Sequence, residues 1–306
     1  MNRSGPASGF TLIELIVVIT LTGIISILVS RNITRPVEGF IDLAQRAELV
    51  DAAELALRRV SREVRLALPN SVRLTDGVTP NMQSCVAAGA TSCAVEFLRT
   101  SDGGRYRALP DGSAGPCGSP GNDRISFSMS ADCFEVLGPL SNIPLFAGAA
   151  DQNACLAGTT DCLVIFNTGQ VGANAYNGDN IAGITAATAN SISFDISGGA
   201  ATRFPFRSPR QRFHIVDMPV SFVCDPAAAT LTRQAGYAIT AAQLNNPAPP
   251  GTLLSDKVSA CRFTYQQGSN SRNALLIVAI TLSATDTQGN PNTVQLLEQI
   301  HVPNIP

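Results

Sequence analysis

Residues Gly9-Phe10-Thr11-Leu12-Ile13-Glu14-Leu15-Ile16-Val17-Val18-Ile19 open an apolar run that continues to Val29 with one charge in it, Glu14. At ~1.5 Å per residue, a helix over residues 10–29 covers about 30 Å, the thickness of a bilayer core. The run therefore predicts a transmembrane helix. A carboxylate inside such a span costs about 2.5–3.5 kcal/mol on insertion scales and marks function by default. Glu14 needs a partner, and the span contains no other charge to supply one. The leader before it, residues 1–9, is too short and polar for a secretory h-region and ends in Ala7-Ser8-Gly9.

Working outward, the helix is expected to continue to residue 68. Val37, Ile41, Ala44, Ala47, Val50, Ala53, Leu57, Val60, Val64 and Leu68 follow one another at three- or four-residue steps. That stripe predicts an apolar face packed under the body of the same chain. Arg46, Glu48, Asp51, Glu54, Arg58, Arg62 and Arg65 lie between its members, and Glu54 with Arg58 makes a favourable i,i+4 pair. Arg58-Arg59, Arg62 and Arg65 read as a solvated helix face, with a partner surface as the alternative. Pro36 and Gly39 are placed to kink the helix, and Pro69-Asn70 ends it.

From residue 69 on, helical periodicity gives way to strand-like runs at 95–100, 125–129, 133–137, 162–167, 192–197, 213–216, 220–224, 231–233, 258–266, 275–285 and 294–302. The last two flank Asp286-Thr287-Gln288-Gly289-Asn290-Pro291, a hairpin signal. In the final run Val294, Leu296, Ile300 and Val302 alternate with polar residues, but Leu297 and Glu298 break the alternation. Long loops at 102–123 and 147–161 separate the runs. The expected class is α+β, divided into a leader (1–9), one long helix (10–68, with 10–29 transmembrane) and a β-rich head (69–306). No internal repeat and no second domain boundary is evident.

The chain has 306 residues and a net charge of −2, which gives no reason to expect nucleic acid as a partner. With 25 Gly, 19 Pro and no Trp, the composition suits a loop-rich extracellular body. All eight cysteines follow residue 80 and none forms a C-x-x-C pair, which argues against zinc. Their even number after a membrane-directing segment predicts disulfides in an oxidising compartment. Eight cysteines allow on the order of a hundred pairings. The favoured set is the local one: Cys85–Cys93, Cys117–Cys133 and Cys155–Cys162, with Cys224–Cys261 as the longer link. Arg3 before the span and Arg31 and Arg35 after it nearly balance the positive-inside count. Cysteine usage therefore places the body outside the cytoplasm.

Gly9-Phe10-Thr11-Leu12-Ile13-Glu14 resembles the class III signal of type IV pilins and type II secretion pseudopilins. The resemblance implies that a prepilin peptidase cuts between Gly9 and Phe10 and N-methylates Phe10. It makes Glu14 the acidic fifth residue of the mature chain, with a role in docking to the growing filament. The cut would release an amine at Phe10, and a carboxylate four residues on, or on a neighbouring subunit, can neutralise it. In a low dielectric the unpaired state is heavily penalised, so assembly selects the pair.

Further segments resemble minor pilins of the O type from mannose-sensitive haemagglutinin (MSHA) pili. These are Val95-Glu96-Phe97-Leu98-Arg99-Thr100, Ser221-Phe222-Val223-Cys224-Asp225, Val258-Ser259-Ala260-Cys261-Arg262-Phe263 and Gln299-Ile300-His301-Val302-Pro303-Asn304. That family is similar in layout to J-type minor pseudopilins. The resemblance implies a pilin-like fold and a non-enzymatic minor pilin of the inner membrane and then the pilus. Its partners would be other major and minor pilins, the prepilin peptidase, the inner-membrane assembly platform and membrane lipid. A head of this bulk fits the filament tip or an initiating complex best. A J-type pseudopilin is the close alternative, and a surface adhesin that binds glycan through its long loops is the alternative of another class.

Enzyme chemistry finds little support. His214 and His301, the two histidines, each fall in an expected strand. Gly118-Ser119-Pro120-Gly121 lacks the nucleophile-elbow spacing, and there is no P-loop or H-E-x-x-H. No cofactor is expected. Related pseudopilins bind calcium, and Asp286, Gly289 and Asn290 offer oxygens, as does Asp179. The full acidic spacing of a calcium loop is missing, so a hairpin turn is the expectation at 286–291.

Overall fold

The computed structural model describes residues 9–110, 112, 115, 117, 118, 124, 125, 127, 132–146, 152–195, 204–247, 250–269 and 272–304, with residues 31–36 described by backbone alone. Leader residues 1–8 and parts of the expected 125–129 and 192–197 strands lie outside this set, as do parts of both long loops.

Helix α1 runs Leu12–Val64, 53 residues, or about 80 Å at 1.5 Å per residue. It passes Pro36 and Gly39 without interruption, so the expected kink does not break the helix. It ends at Val64, where the chain turns short of Leu68. The segment Leu12–Ser30 is apolar, long enough to span a bilayer, and wholly exposed.

The head is built from thirteen described strands: β1 Arg73–Thr75, β2 Ser84–Ala88, β3 Cys93–Tyr106, β4 Cys133–Leu137, β5 Cys162–Val164, β6 Ile181–Ala187, β7 Ser191–Phe194, β8 Arg212–Asp225, β9 Thr230–Ala235, β10 Thr252–Ser255, β11 Val258–Gln266, β12 Ala274–Thr285 and β13 Pro291–Val302. A short helix α2, Gln152–Leu156, and a 3-10 turn at Ala175–Asn177 complete it. The separate runs expected at 213–216 and 220–224 are one strand, β8, which carries Pro219 within it. Short strands such as β1, β2, β6 and β10 were not expected.

A four-stranded antiparallel sheet, β13-β12-β11-β2, packs against α1. Leu49, Ala53, Ala56, Leu57, Val60 and Val64 form the buried stripe of the helix. They meet Leu276, Val278 and Ile280 of β12, Ile300 of β13 and Phe97 and Phe222 of the larger sheet in one core. Each such side chain contributes about 1.5–3 kcal/mol on burial. The stripe is shorter than expected. Val37, Ile41, Phe40 and Leu43 remain exposed between the membrane span and the head. Glu298 lies on the helix-facing side of β13, where it accepts from Ser61 Oγ at 3.4 Å, and Leu297 points outward at 57% exposure.

The larger sheet contains a closed ring. β3 pairs β4, β4 pairs β7, β7 pairs β6, β6 pairs β5, β5 pairs β8, and β8 returns to β3, all antiparallel. This six-stranded barrel encloses its own aromatic core. Phe134 lies 5.3 Å from Phe213 and 6.2 Å from Phe194, with Tyr106 against its edge at 6.4 Å. Gly104 lets β3 close over that core, because a Cβ there would sit 2.9 Å from the Phe213 ring. The 14-residue strands β3 and β8 are shared. One half of each closes the barrel, and the other half carries β1, β9 and β10 toward the helix core. The head thus has two main cores on one continuous pair of strands, which is why no linker separates them.

Candidate functional site

Gly9 and Phe10 are exposed and outside any helix or strand, just before the helix N-cap Thr11, which is extended at φ −80 and ψ 150. Apart from its chain neighbours, no described atom lies within 4 Å of where a Gly9 Cβ would be. Thr11 and Glu14 form a reciprocal capping box. The Thr11 hydroxyl accepts from the Glu14 N–H at 3.4 Å, while Glu14 Oε2 accepts from the Thr11 N–H at 3.2 Å and its hydroxyl at 3.0 Å. The helix N-terminus concentrates unpaired N–H groups and favours an anion there. The carboxylate is therefore held at the start of the helix against Thr11, the residue that follows the Gly9–Phe10 pair. After Thr11 the exposed side chains are apolar turn upon turn, and Thr20 and Thr22 bond back to carbonyls of their own helix.

Four disulfides staple the head. They join Cys85 to Cys93, Cys117 to Cys133, Cys155 to Cys162 and Cys224 to Cys261, with Cα separations of 6.0, 5.8, 5.3 and 6.4 Å. Three of the links are local, closing 8, 16 and 7 residues, and the fourth closes 37. Cys224 on β8 and Cys261 on β11 tie the two sheets together through the helix core.

Polar contacts set the head on α1. Glu63 is buried and takes both Arg59 and Arg233 Nε, the latter at 2.7 Å. Lys257 Nζ reaches Glu48 at 2.8 Å. The β12–β13 turn docks lower, where Asp42 accepts from the Thr287 N–H at 3.0 Å and Gln45 donates to the Thr285 carbonyl at 3.0 Å.

Asp286 serves this turn. Its Oδ1 accepts the N–H groups of Gln288 and Asn290, and Asn290 Nδ2 reaches Oδ2 at 3.3 Å. The Asn290 N–H holds its carboxyl below the usual range. Asp179 closes another loop by accepting from the Gly172 N–H at 3.0 Å. His214 and His301 are strand residues of β8 and β13. Arg58 pairs with Glu54 and Arg59 with Glu63, while Arg62 on α1 and Arg65 at its C-cap are exposed.

No curated protein and no solved structure matches the chain. One family model does, described as the prokaryotic N-terminal methylation motif, over residues 6–30. That motif marks structural subunits, and with the exposed apolar helix it fits a membrane-anchored, single-pass protein. The chain therefore carries the N-terminal motif of type IV pilin-like and pseudopilin subunits, which supports a role in pilus or secretion assembly and implies other pilins and a prepilin peptidase as partners.

Proposed function

We propose that this protein is a minor pilin of the MSHA kind, taking part in type IV pilus assembly at the tip or in the initiating complex. The observation that carries the reading is Glu14, held at the start of an exposed apolar helix by Thr11, directly after an exposed Gly9–Phe10 bond. A prepilin peptidase needs that bond accessible, and its cut places a cationic amine next to the capping box. In lipid the amine and carboxylate neutralise one another, within a chain or between neighbours. The exposed Val37, Phe40, Ile41 and Leu43 extend the apolar surface beyond the membrane, where a neighbouring subunit's helix would cover it. The body is then periplasmic before assembly and displayed at the cell surface afterwards, in keeping with its four disulfides.

The second core supports a minor role. A subunit repeated along a thin filament has little room for a six-stranded barrel beside its helix-packed sheet. A subunit at the end has nothing above it. Immunogold labelling tests the placement, with gold expected at filament ends and at low abundance. Even labelling along the shaft would overturn it. Deletion separates the pilus reading from the J-type pseudopilin: loss of piliation supports the first, and loss of exoprotein export with normal piliation supports the second.

A further inference from the structure

Where α1 ends, residues 70–73 line a cleft of about 470 Å³ whose far wall is the end of β11 and the 174–177 turn. Small-molecule sites run from about 300 to 1,000 Å³. The side-chain amides of Asn81, Gln83, Asn177 and Gln267 line it and bond to nothing else among the described residues. The Tyr265 hydroxyl is buried in the same wall, also without a hydrogen-bond partner. A buried hydroxyl left unpaired is costly, and a ligand that pairs it recovers that cost. Burial pushes this phenol up to about 12, so at neutral pH it can donate.

The cleft offers no free charge. Arg73 is its one charged lining residue, and it is buried and paired with Glu96, with four of its five N–H groups donated within the head. Nε donates to Glu96 Oε2 at 2.7 Å, and the terminal nitrogens donate to the carbonyls of Ala241 at 2.8 Å and Thr240 at 3.0 Å. Its guanidinium also covers the Tyr176 ring at 3.6 Å. A phosphate, sulfate or carboxylate finds no available cation here, and a cation finds no carboxylate. Apolar lining comes from the aliphatic side chains of Val72, Met82 and Ala241 and from the tyrosines Tyr176 and Tyr265, with no open apolar pocket for the side chains of a peptide. What remains is a wall of groups that donate and accept side by side. The complement is an uncharged molecule dense in hydroxyls, each of which also donates and accepts.

Asn70 and Asn81, at the cleft's edge, take φ 57 and 56, a left-handed backbone that asparagine tolerates better than most residues. Such conformations gather at ligand clamps. Placement also favours display, because α1 carries the chain from Ser30 to Val64, about 50 Å beyond the membrane span at 1.5 Å per residue.

We propose that this cleft binds a neutral carbohydrate, held by the side-chain amides of Gln83, Asn177 and Gln267 and by the Tyr265 hydroxyl. Binding here does not depend on how the N-terminus is processed. The test uses the full chain in detergent micelles on an array of neutral, sialylated and sulfated oligosaccharides, followed by titration with a neutral member that binds. Neutral glycans are expected to bind. The Gln83→Ala/Asn177→Ala double variant should bind at least tenfold more weakly. Tyr265→Phe should bind about tenfold more weakly while its urea midpoint stays level or rises, because the lost hydroxyl had no partner in the protein. No neutral-glycan binding at about 1 mM, binding confined to acidic glycans, or binding that these variants leave unchanged would each overturn the proposal.

Discussion

Glu14 Oε2 takes two donors from Thr11, the backbone N–H at 3.2 Å and the hydroxyl at 3.0 Å. The carboxylate thus has a capping role in the uncut chain and is positioned for the amine that cleavage would free. Two substitutions separate these roles. Glu14→Val removes the acid, so membrane insertion should be as good as wild type or better, by up to about 2.5–3.5 kcal/mol. Incorporation into sheared filaments should fall to background. Glu14→Gln keeps a residue that completes a capping box but carries no charge, and it should fail in the same way. Normal incorporation of the Gln variant would show that capping, not charge pairing, is what assembly requires.

Arg73 and Glu96 form an ion pair in which both side chains are less than a tenth exposed. Tyr237 also donates to Glu96 Oε1, at 3.1 Å. Removing one partner of such a pair strands the other, at a cost of about 3–5 kcal/mol. Arg73→Ala should lose that much in urea unfolding at pH 7.5. Burial already pushes the Glu96 carboxyl up, against the pull of Arg73, and losing Arg73 raises it further. A raised folded-state pKa means stability is present below the unfolded value of about 4.5 and is lost as pH rises through the folded one. The variant should therefore recover toward wild type near pH 5. A deficit of equal size at both pH values would contradict the assignment.

All four tyrosines, Tyr106, Tyr176, Tyr237 and Tyr265, have their phenols pushed up, each chiefly by burial. The sign follows directly. The folded state keeps protons that the unfolded chain begins to lose near pH 10, so stability is intact below about 10 and falls above it. With no Trp in the chain, tyrosinate absorbance near 295 nm can be read without interference. It should stay flat through pH 10 and then rise together with the loss of near-UV dichroism. A tyrosine that titrates near 10 in the folded protein would contradict the described burial.

Cys224–Cys261 spans 37 residues and joins two sheets, whereas Cys155–Cys162 spans 7. On loop-closure entropy the first should contribute about 4 kcal/mol and the second about 2. Paired Cys→Ala variants should show that order in urea unfolding. Equal losses would indicate that the long link does not restrict the unfolded chain as its spacing implies.

Much of this architecture was legible in the sequence because its signals are local. The apolar run with Glu14, the three- and four-residue steps of α1, the hairpin at 286–291 and the short cysteine spacings each act within one segment. The point at which the helix stops being covered was not legible, because Val37 and Ile41 have the same periodicity as Leu57 and Val60. Only the size of the sheet decides which of them is buried. The barrel was hidden for a related reason. β6, with the sequence Ile181-Ala182-Gly183-Ile184-Thr185-Ala186-Ala187, is rich in small residues and gains its place from its neighbours β5 and β7. The cleft draws on segments near 70, 81, 177 and 265, so no stretch announces it. Its one local trace is the repeated Pro-Asn at Pro69-Asn70 and Pro80-Asn81, where each asparagine turns left-handed.

Non-reduced mass spectrometry of the mature protein tests the central claim most directly. The account predicts a chain that begins at N-methylated Phe10 and carries all eight cysteines in disulfides. A mature protein that still carries residues 1–9, with no methyl group on Phe10, would contradict it.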